Sequence, residues 1–382
     1  MILESLHLLF FKNYSEANLR LSPRINCFVG DNGSGKTNLL DAIHYLSLTK
    51  SAFTTTDAQS IKQEEEFFVV KGRFVQEEPS SEQAETPLPT PSDPEMIQVS
   101  LRAGQKKAVT RNKQPYERIS DHIGRYPAVL ISPYDTDLIR QGSEERRKYF
   151  DSLISQLDHD YLELLIAYNH ILRQRNSLLK LAGERQGGYD RDYLLVLDEQ
   201  LVPAGQKIVE ARQQFLEEFT PVFQRHYQQL ADSREVVTLD YKTQLTEADF
   251  GKLLRVNERK DLTLQRTTVG PHKDDFVFLM DNLLVKSYGS QGQQKSYVIS
   301  LKLAQFEILA TRKHHKPLLL LDDIFDRLDE KRITKLLQLV ADHTFGQVFL
   351  TDTHLDRTDR ALAGLSEQVS RFRVESGTVV AL

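Results

Sequence analysis

Two kinds of apolar pattern alternate along the chain: short continuous runs that read as strands, and runs recurring every three or four residues that read as helices. Met1–Leu8 and Ala17–Leu21 predict two strands joined by a turn around Phe11-Lys12-Asn13-Tyr14. Ile25-Asn26-Cys27-Phe28-Val29, bounded by Pro23, predicts a buried strand, and Asn38–Leu46 a helix. Strands follow near 67–75, 97–101 and 106–110, then at Pro127–Ile131, closed by Ser132-Pro133. After Asp135 the period changes. Ser143 reads as a helix cap with Glu144 and Glu145 in the first turn. Phe150, Leu153, Ile154, Leu157, Tyr161, Leu164, Leu165, Tyr168, Ile171 and Leu172 then keep one helical stripe, which fades after Leu181. A second long helix spans about Asp192 to Leu230, with a bend expected at Pro203 and Pro221. Strand character returns at Phe276–Met280, followed by a helix from about Ser296 to Arg312 and an apolar strand at 317–321. A helix near 330–342 and a strand at Gln347–Thr351 complete the pattern. The expected class is α/β: strand-rich flanks at 1–135 and 266–382 around a mostly helical lobe at 136–265.

Composition narrows the class. Of 382 residues 40% are apolar and 27% charged, as in soluble globular chains. No apolar run reaches the roughly 18 residues that span a membrane, no signal-peptide pattern opens the chain, and one cysteine, Cys27, excludes an internal disulfide. A cytoplasmic protein without a membrane partner is expected. Net charge is −5, which by itself argues against nucleic acid. Residues 77–95, however, hold six acids and no Lys or Arg in a Pro- and Ser-rich stretch that reads as a solvated insertion. Without it, 49 bases face 48 acids, so DNA binding would need a local basic face.

The sharpest chemistry lies between the Ile25–Val29 strand and the next helix. Gly30-Asp31-Asn32-Gly33-Ser34-Gly35-Lys36-Thr37 is Gly-x-x-x-x-Gly-Lys-Thr, and strand, glycine loop, helix is the context a phosphate cradle requires. Glycines let backbone N–H groups turn inward, and the helix N-terminus adds partial positive charge. Lys36 is placed to reach the β- and γ-phosphates of a nucleoside triphosphate, and the Thr37 hydroxyl to ligate Mg²⁺. Leu318–Asp323 is four apolar residues followed by two carboxylates. At the C-terminal end of a parallel strand, Asp322 would hold Mg²⁺ opposite Thr37, and Asp323 would orient or deprotonate the attacking water. Tyr288-Gly289-Ser290-Gln291-Gly292-Gln293 opens a helix and reads as a second anion-binding N-terminus.

In this order the parts resemble the ABC-type ATPases. Ser290, Gly292 and Gln293 match the signature motif, Asp326-Arg327-Leu328-Asp329 the D-loop, and His354 after an apolar strand the His switch. In that superfamily the signature of one copy caps the γ-phosphate held by the other. The resemblance therefore implies an ATP-dependent homodimer with two shared sites, and makes Lys36, Asp323 and His354 the catalytic candidates.

Over nearly its whole length the chain resembles the RecF family of bacterial recombination-mediator ATPases. The residues that carry this are Phe11-Lys12-Asn13-Tyr14, Gly142-Ser143 with Arg146-Arg147 and Phe150-Asp151, Gln174–Lys180, and Gly270-Pro271-His272-Lys273-Asp274-Asp275. The acidic insertion and the Asp352-Thr353-His354 ending depart from the family pattern. The resemblance implies binding to duplex DNA or to junctions of duplex with single strand. It also implies partnership with RecR and RecO, help in loading RecA, and an SOS-linked role in replication and repair. Bottom-up support for DNA rests on Arg146, Arg147 and Lys148 at a helix start, with Arg173, Arg175 and Lys180 further along. Each of these could equally serve a solvated face or an intramolecular pair, and His272 a structural hydrogen bond. Asp323 is one methylene shorter than the Glu common at its position across the superfamily, which predicts slow hydrolysis with ATP as a clamp timer, and the resemblance implies that DNA stimulates it. The alternatives are a head domain of the coiled-coil chromosome ATPases, a transporter's nucleotide-binding subunit and an ATP-dependent nuclease. The lobe is too short for a coiled-coil arm, and the stretch after His354 too short for a nuclease domain.

Overall fold

A computed structural model describes residues 1–76, 93–184, 189–231, 235–245, 249–324, 345–361 and 369–382, with Ile333 and Lys335. Most of the acidic insertion, the D-loop candidate and the expected helix near 330–342 lie outside the described residues. The chain divides into two compact units, one of Met1–Asp135 with Gln305–Leu382, the other of Thr136–Ala304.

The first unit begins with β1 (Ile2–Phe11), β2 (Tyr14–Arg20), β3 (Ile25–Val29) and α1 (Lys36–Leu48), followed by β4 (Phe67–Val75), β5 (Glu95–Arg102), β6 (Ala108–Arg111), β7 (Gln114–Pro115) and β8 (Ala128–Ile131). Strands β1, β2 and β4 to β7 make an antiparallel sheet in the order β2-β1-β4-β5-β6-β7. The acidic insertion joins β4 to β5, which pair antiparallel with Phe74 opposite Glu95.

The second unit holds α2 (Asp137–Arg140), α3 (Ser143–Leu157), α4 (His159–Glu184), α5 (Arg191–Ala231), β9 (Val237–Lys242) and α6 (Phe250–Leu264), then β10 (Asp275–Met280), β11 (Leu283–Leu284), α7 (Val285–Tyr288) and the start of α8 (Gln291–Lys313). The expected single helix after Ser143 is two helices. Asp158 turns extended, its N–H closes α3 on the Ile154 carbonyl, and its side chain accepts the Tyr161 N–H at the start of α4. The second expected helix is α5, continuous through Pro203 and Pro221. The lobe is not purely helical. β9, unforeseen, pairs antiparallel with β10, and β11 extends this small sheet. That pairing draws residues 266–304 into the second unit, whereas the sequence-based boundary falls at 265. Phe150 of α3 stacks on Phe276 of β10 at 4.2 Å between ring centroids, and Phe215 and Phe219 of α5 close around it.

The chain returns to the first unit with β12 (Leu318–Leu321), β13 (Val348–Asp352), α9 (Leu355–Ala361), β14 (Val369–Glu375) and β15 (Thr378–Ala381). The second sheet runs β15-β14-β3-β13-β12-β8, parallel throughout except for β15. β3, β8, β12 and β13 are buried along their whole length, as expected of parallel strands covered on both faces. α1 lies between the two sheets, touching β1, β4 and β5 on one side and β8 and β13 on the other, and it buries 11 of its 13 residues. The β14–β15 hairpin was not legible in the sequence.

Candidate nucleotide site

Three parallel strands end at one edge of the second sheet, and each delivers one part of the site. β3 runs into the glycine loop, β12 into Asp322-Asp323, and β13 into Asp352-Thr353-His354. Register sets their levels: Asp352 pairs with Val29, and Leu350 with Leu321. The hydroxyl of Thr37, at the start of α1, thereby donates to both carboxylate oxygens of Asp322, at 2.9 and 3.1 Å. Lys36 is buried, and its ammonium donates to the Gly30 and Asp31 carbonyls at 2.8 and 3.0 Å. Asp31, Asn32 and Gly33 form the exposed tip, while Ser34 and Gly35 are buried at its base.

Two glycines are required by neighbours rather than by a turn alone. A Cβ on Gly30 would strike the Val374 carbonyl of β14. A Cβ on Gly35, whose φ is +118°, would fall 2.5 Å from Asn13 Nδ2 and 2.8 Å from the Tyr14 hydroxyl.

Asp322 is buried, which raises its carboxyl to about 6, with neighbouring Asp323 adding to the rise and the Thr37 and Thr351 hydroxyls opposing it. A carboxylate whose charge is so poorly solvated gains from a cation beside it. Thr37 and Asp322 are an all-oxygen pair, the donor set of a hard ion such as Mg²⁺. These residues fit the expected metal.

Thr351, which the sequence did not single out, holds both acids. Its Oγ1 donates to Asp322 Oδ1 at 2.9 Å and accepts the Asp323 N–H at 2.9 Å. The second contact helps hold Asp323 at φ +42°, in the left-handed region, where Asp and Asn are tolerated best after glycine. Asp352 organises the ending after β13. Its carboxylate accepts the Thr353 and His354 N–H groups and the Thr358 hydroxyl, and it pairs with Arg357. Burial opposes its ionisation, but Arg357 and Thr358 outweigh burial and hold the carboxyl below its ordinary value. His354 is exposed at the start of α9.

In the second unit, Ser290 and Gln293 form a capping box at the start of α8. The Ser290 hydroxyl accepts the Gln293 N–H at 3.2 Å, and the Gln293 side chain accepts the Ser290 N–H at 2.6 Å. Gln293 is further tied to Glu235 at 2.5 Å, and Gly292 lies in the first turn of the helix.

The basic cluster is engaged within the lobe. Arg146 makes a bidentate pair with Asp275, at 2.8 and 3.0 Å, and Arg147 donates to the Asp274 carbonyl and to Ser143. Lys148, 59% exposed, pairs with Glu144 and Glu145. Arg175 is fully buried among Asp198, Asp261 and Thr267, inside the lobe. Arg212, on α5, is buried too, gripping Asp151 in bidentate fashion and the Pro271 carbonyl. His272 takes its structural role: Nε2 donates to the Thr267 carbonyl, and Nδ1 accepts the Tyr168 hydroxyl. Burial lowers its pKa to about 4, so the ring is neutral. The stretch 267–275 is thus held by arginines from α3, α4 and α5.

A phosphate loop, a hydroxyl–carboxylate pair and a histidine gathered at the ends of parallel strands, in a chain interrupted by an inserted, mostly helical lobe, define an ABC-type P-loop ATPase head. Residues 2–368 match the RecF/RecN/SMC N-terminal domain family. The chain is 44% identical to the DNA replication and repair protein RecF of Cytophaga hutchinsonii, with 99% of this chain and 96% of that protein covered. It is 47% identical to that of Flavobacterium johnsoniae, with 98% and 100% covered. The chain belongs to the RecF family of DNA replication and repair proteins. A solved structure of the recombination mediator protein RecF with ATP, from the RecFOR pathway, superposes with a TM-score of 0.86 at 28% identity, covering 100% of this chain and 97% of that one. The Smc head domain of Pyrococcus furiosus, bound to the C-terminal domain of ScpA, shares the fold with a TM-score of 0.55 at 17% identity, covering 100% and 96%.

Proposed function

We propose that this chain binds ATP between Gly30–Thr37 of one copy and Ser290, Gly292 and Gln293 of a second, and uses the closed dimer to hold duplex DNA or a junction of duplex with single strand. The observation that carries the reading is the Thr37–Asp322 contact, which joins phosphate loop and acidic strand across 285 positions of sequence. Lys36, whose ammonium lies inside the loop against the Gly30 and Asp31 carbonyls, takes the β- and γ-phosphates. Mg²⁺, held by Thr37 and Asp322, supplies neutralising charge to the phosphates when bound. Asp323 orients the attacking water and takes its proton, and His354, placed by Asp352, hydrogen-bonds the departing phosphate. The short Asp323 side chain makes turnover slow and the nucleotide a timer. The ATP bound by the solved relative supports the ligand, and the relatives' name supports DNA as the target.

On this reading the chain works in the cytoplasm with RecR and RecO, and indirectly with RecA, at gaps in damaged DNA. Arg146 and Arg147 brace the lobe, so phosphate contacts fall to exposed bases such as Lys148. Among the described residues no helix is long and apolar enough to cross a membrane.

Light scattering with and without ATP, and with and without duplex DNA, tests the proposal. Wild type should pair on ATP and pair further with DNA, whereas Lys36→Met and Ser290→Arg stay monomeric. A wild-type chain that remains a monomer under a saturating non-hydrolysable analogue, Mg²⁺ and DNA rejects it.

A further inference from the structure

The phosphate loop is held from behind by residues distant in sequence. Asn13, in the turn between β1 and β2, donates from Nδ2 to the Ser34 carbonyl at 2.9 Å. The Gly377 N–H, in the β14–β15 turn, donates to the same oxygen at 3.1 Å. The buried Tyr14 hydroxyl donates to the Gly35 carbonyl at 2.9 Å. Asn38, in the first turn of α1, donates to Asn13 Oδ1 at 2.7 Å, which leaves the Asn13 amino group facing Ser34.

A peptide unit is planar and trans, so its C=O and the next N–H point in opposite directions. Pulling the Ser34 carbonyl back aims the Gly35 N–H forward. The Gly35 carbonyl, which also accepts the Asn38 and Leu39 N–H groups of α1 at 2.9 and 3.2 Å, is drawn back in the same way by Tyr14, and this aims the Lys36 N–H forward. These are the amides a phosphate cradle needs. An anion meets donors already aligned and spends little of its binding energy ordering them.

We propose that Asn13 and Tyr14 are positioning residues of the nucleotide site: by holding two loop carbonyls, they set the two amides that receive the phosphates. The inference rests on Gly30–Thr37 binding ATP, as proposed above. Neither side chain touches the nucleotide, and both act through the loop backbone.

Tyr14→Phe is the cleaner variant, because it keeps the ring in its pocket and removes one donor. Asn13→Ala removes the other. The affinities of wild type, both single variants and the double variant are measured calorimetrically for ATP and for inorganic tripolyphosphate, well below each melting temperature. The ¹⁵N–¹H resonances of Gly35 and Lys36 are followed in parallel. Each single variant should weaken both ligands by the same factor, about fivefold to tenfold, as expected for one lost hydrogen bond. The Gly35 amide should move in Asn13→Ala and the Lys36 amide in Tyr14→Phe. Equal losses for ATP and tripolyphosphate place the effect at the phosphates. A merely structural role would lower the melting temperature and leave both affinities at the wild-type value, which overturns the proposal. Wild type that binds neither ligand overturns instead the nucleotide reading beneath it.

Discussion

Asp323→Asn isolates the proposed base from the fold. Asp323 sits at φ +42°, a conformation Asn adopts as readily as Asp, and its N–H bond to Thr351 is a backbone bond that the substitution leaves in place. Stability should therefore stay within about 0.5 kcal/mol of wild type. ATP affinity should hold, because Lys36, Thr37 and Asp322 are untouched. Turnover should fall about 10²- to 10⁴-fold, the usual contribution of a positioned base, which raises the barrier by about 3–5 kcal/mol. Thr351→Val tests the support. It removes one bond to a carboxylate and one to a backbone N–H, each 2.9 Å long, for about 2–4 kcal/mol of stability. It should also lower turnover by letting Asp323 leave its strained conformation. If Thr351 acts through Asp323, adding Thr351→Val to Asp323→Asn should change the chemical rate little. Single-turnover hydrolysis, ATP binding and urea unfolding measure the three quantities. Wild-type turnover in Asp323→Asn refutes the base assignment, and additive rate losses refute the coupling.

The site and the lobe support three further expectations. Asp352→Ala unties His354, Thr358 and Arg357, so kcat should drop by at least about tenfold while ATP affinity changes less than twofold, which titration calorimetry beside a phosphate-release assay would show. Arg212→Met takes the bidentate partner from the partly buried Asp151 carboxylate, which keeps its bond from the Tyr161 hydroxyl, and should cost about 3 kcal/mol in urea unfolding, part of it recovered when Asp151→Leu is added. His122, fully buried with Nε2 donating to the Leu46 carbonyl, and His272 are both pushed by burial from 6.5 to about 4. As pH falls the unfolded chain takes up these protons first. The stability the neutral rings provide is thus complete above about 6.5 and is lost between there and about 4. Each should account for about 1.3 kcal/mol between pH 7.5 and 5.5, and His272→Gln should flatten the pH dependence of the urea midpoint accordingly.

Contiguity decided what the sequence alone determined. The glycine loop, the apolar run ending in Asp322-Asp323 and the helix start at Ser290–Gln293 each lie within eight residues, and each has a backbone preference that acts locally. The strand before Gly30–Thr37 follows from a short continuous apolar run, and the helix after it, like the helices of the lobe, from a period of 3.6 that neighbouring residues establish by themselves. The residues that aim the site do not lie together in sequence. Thr351 reaches Asp322 only because β13 pairs with β12 in one register, and Asn13 reaches Ser34 only through the turn between β1 and β2. β9 was hidden for the same reason: six residues between helices become a strand when β10 supplies their partners 33 to 43 positions on. Arg146 and Arg147 show the converse. Their charge was legible, but whether a base faces a phosphate or a carboxylate depends on what the fold brings opposite, and here it brings Asp275 and the Asp274 carbonyl. Sequence specifies chemistry wherever the deciding partner is a neighbour along the chain. Where that partner arrives through sheet register, only the tertiary structure can name it, because a shift of one residue would present a different side chain.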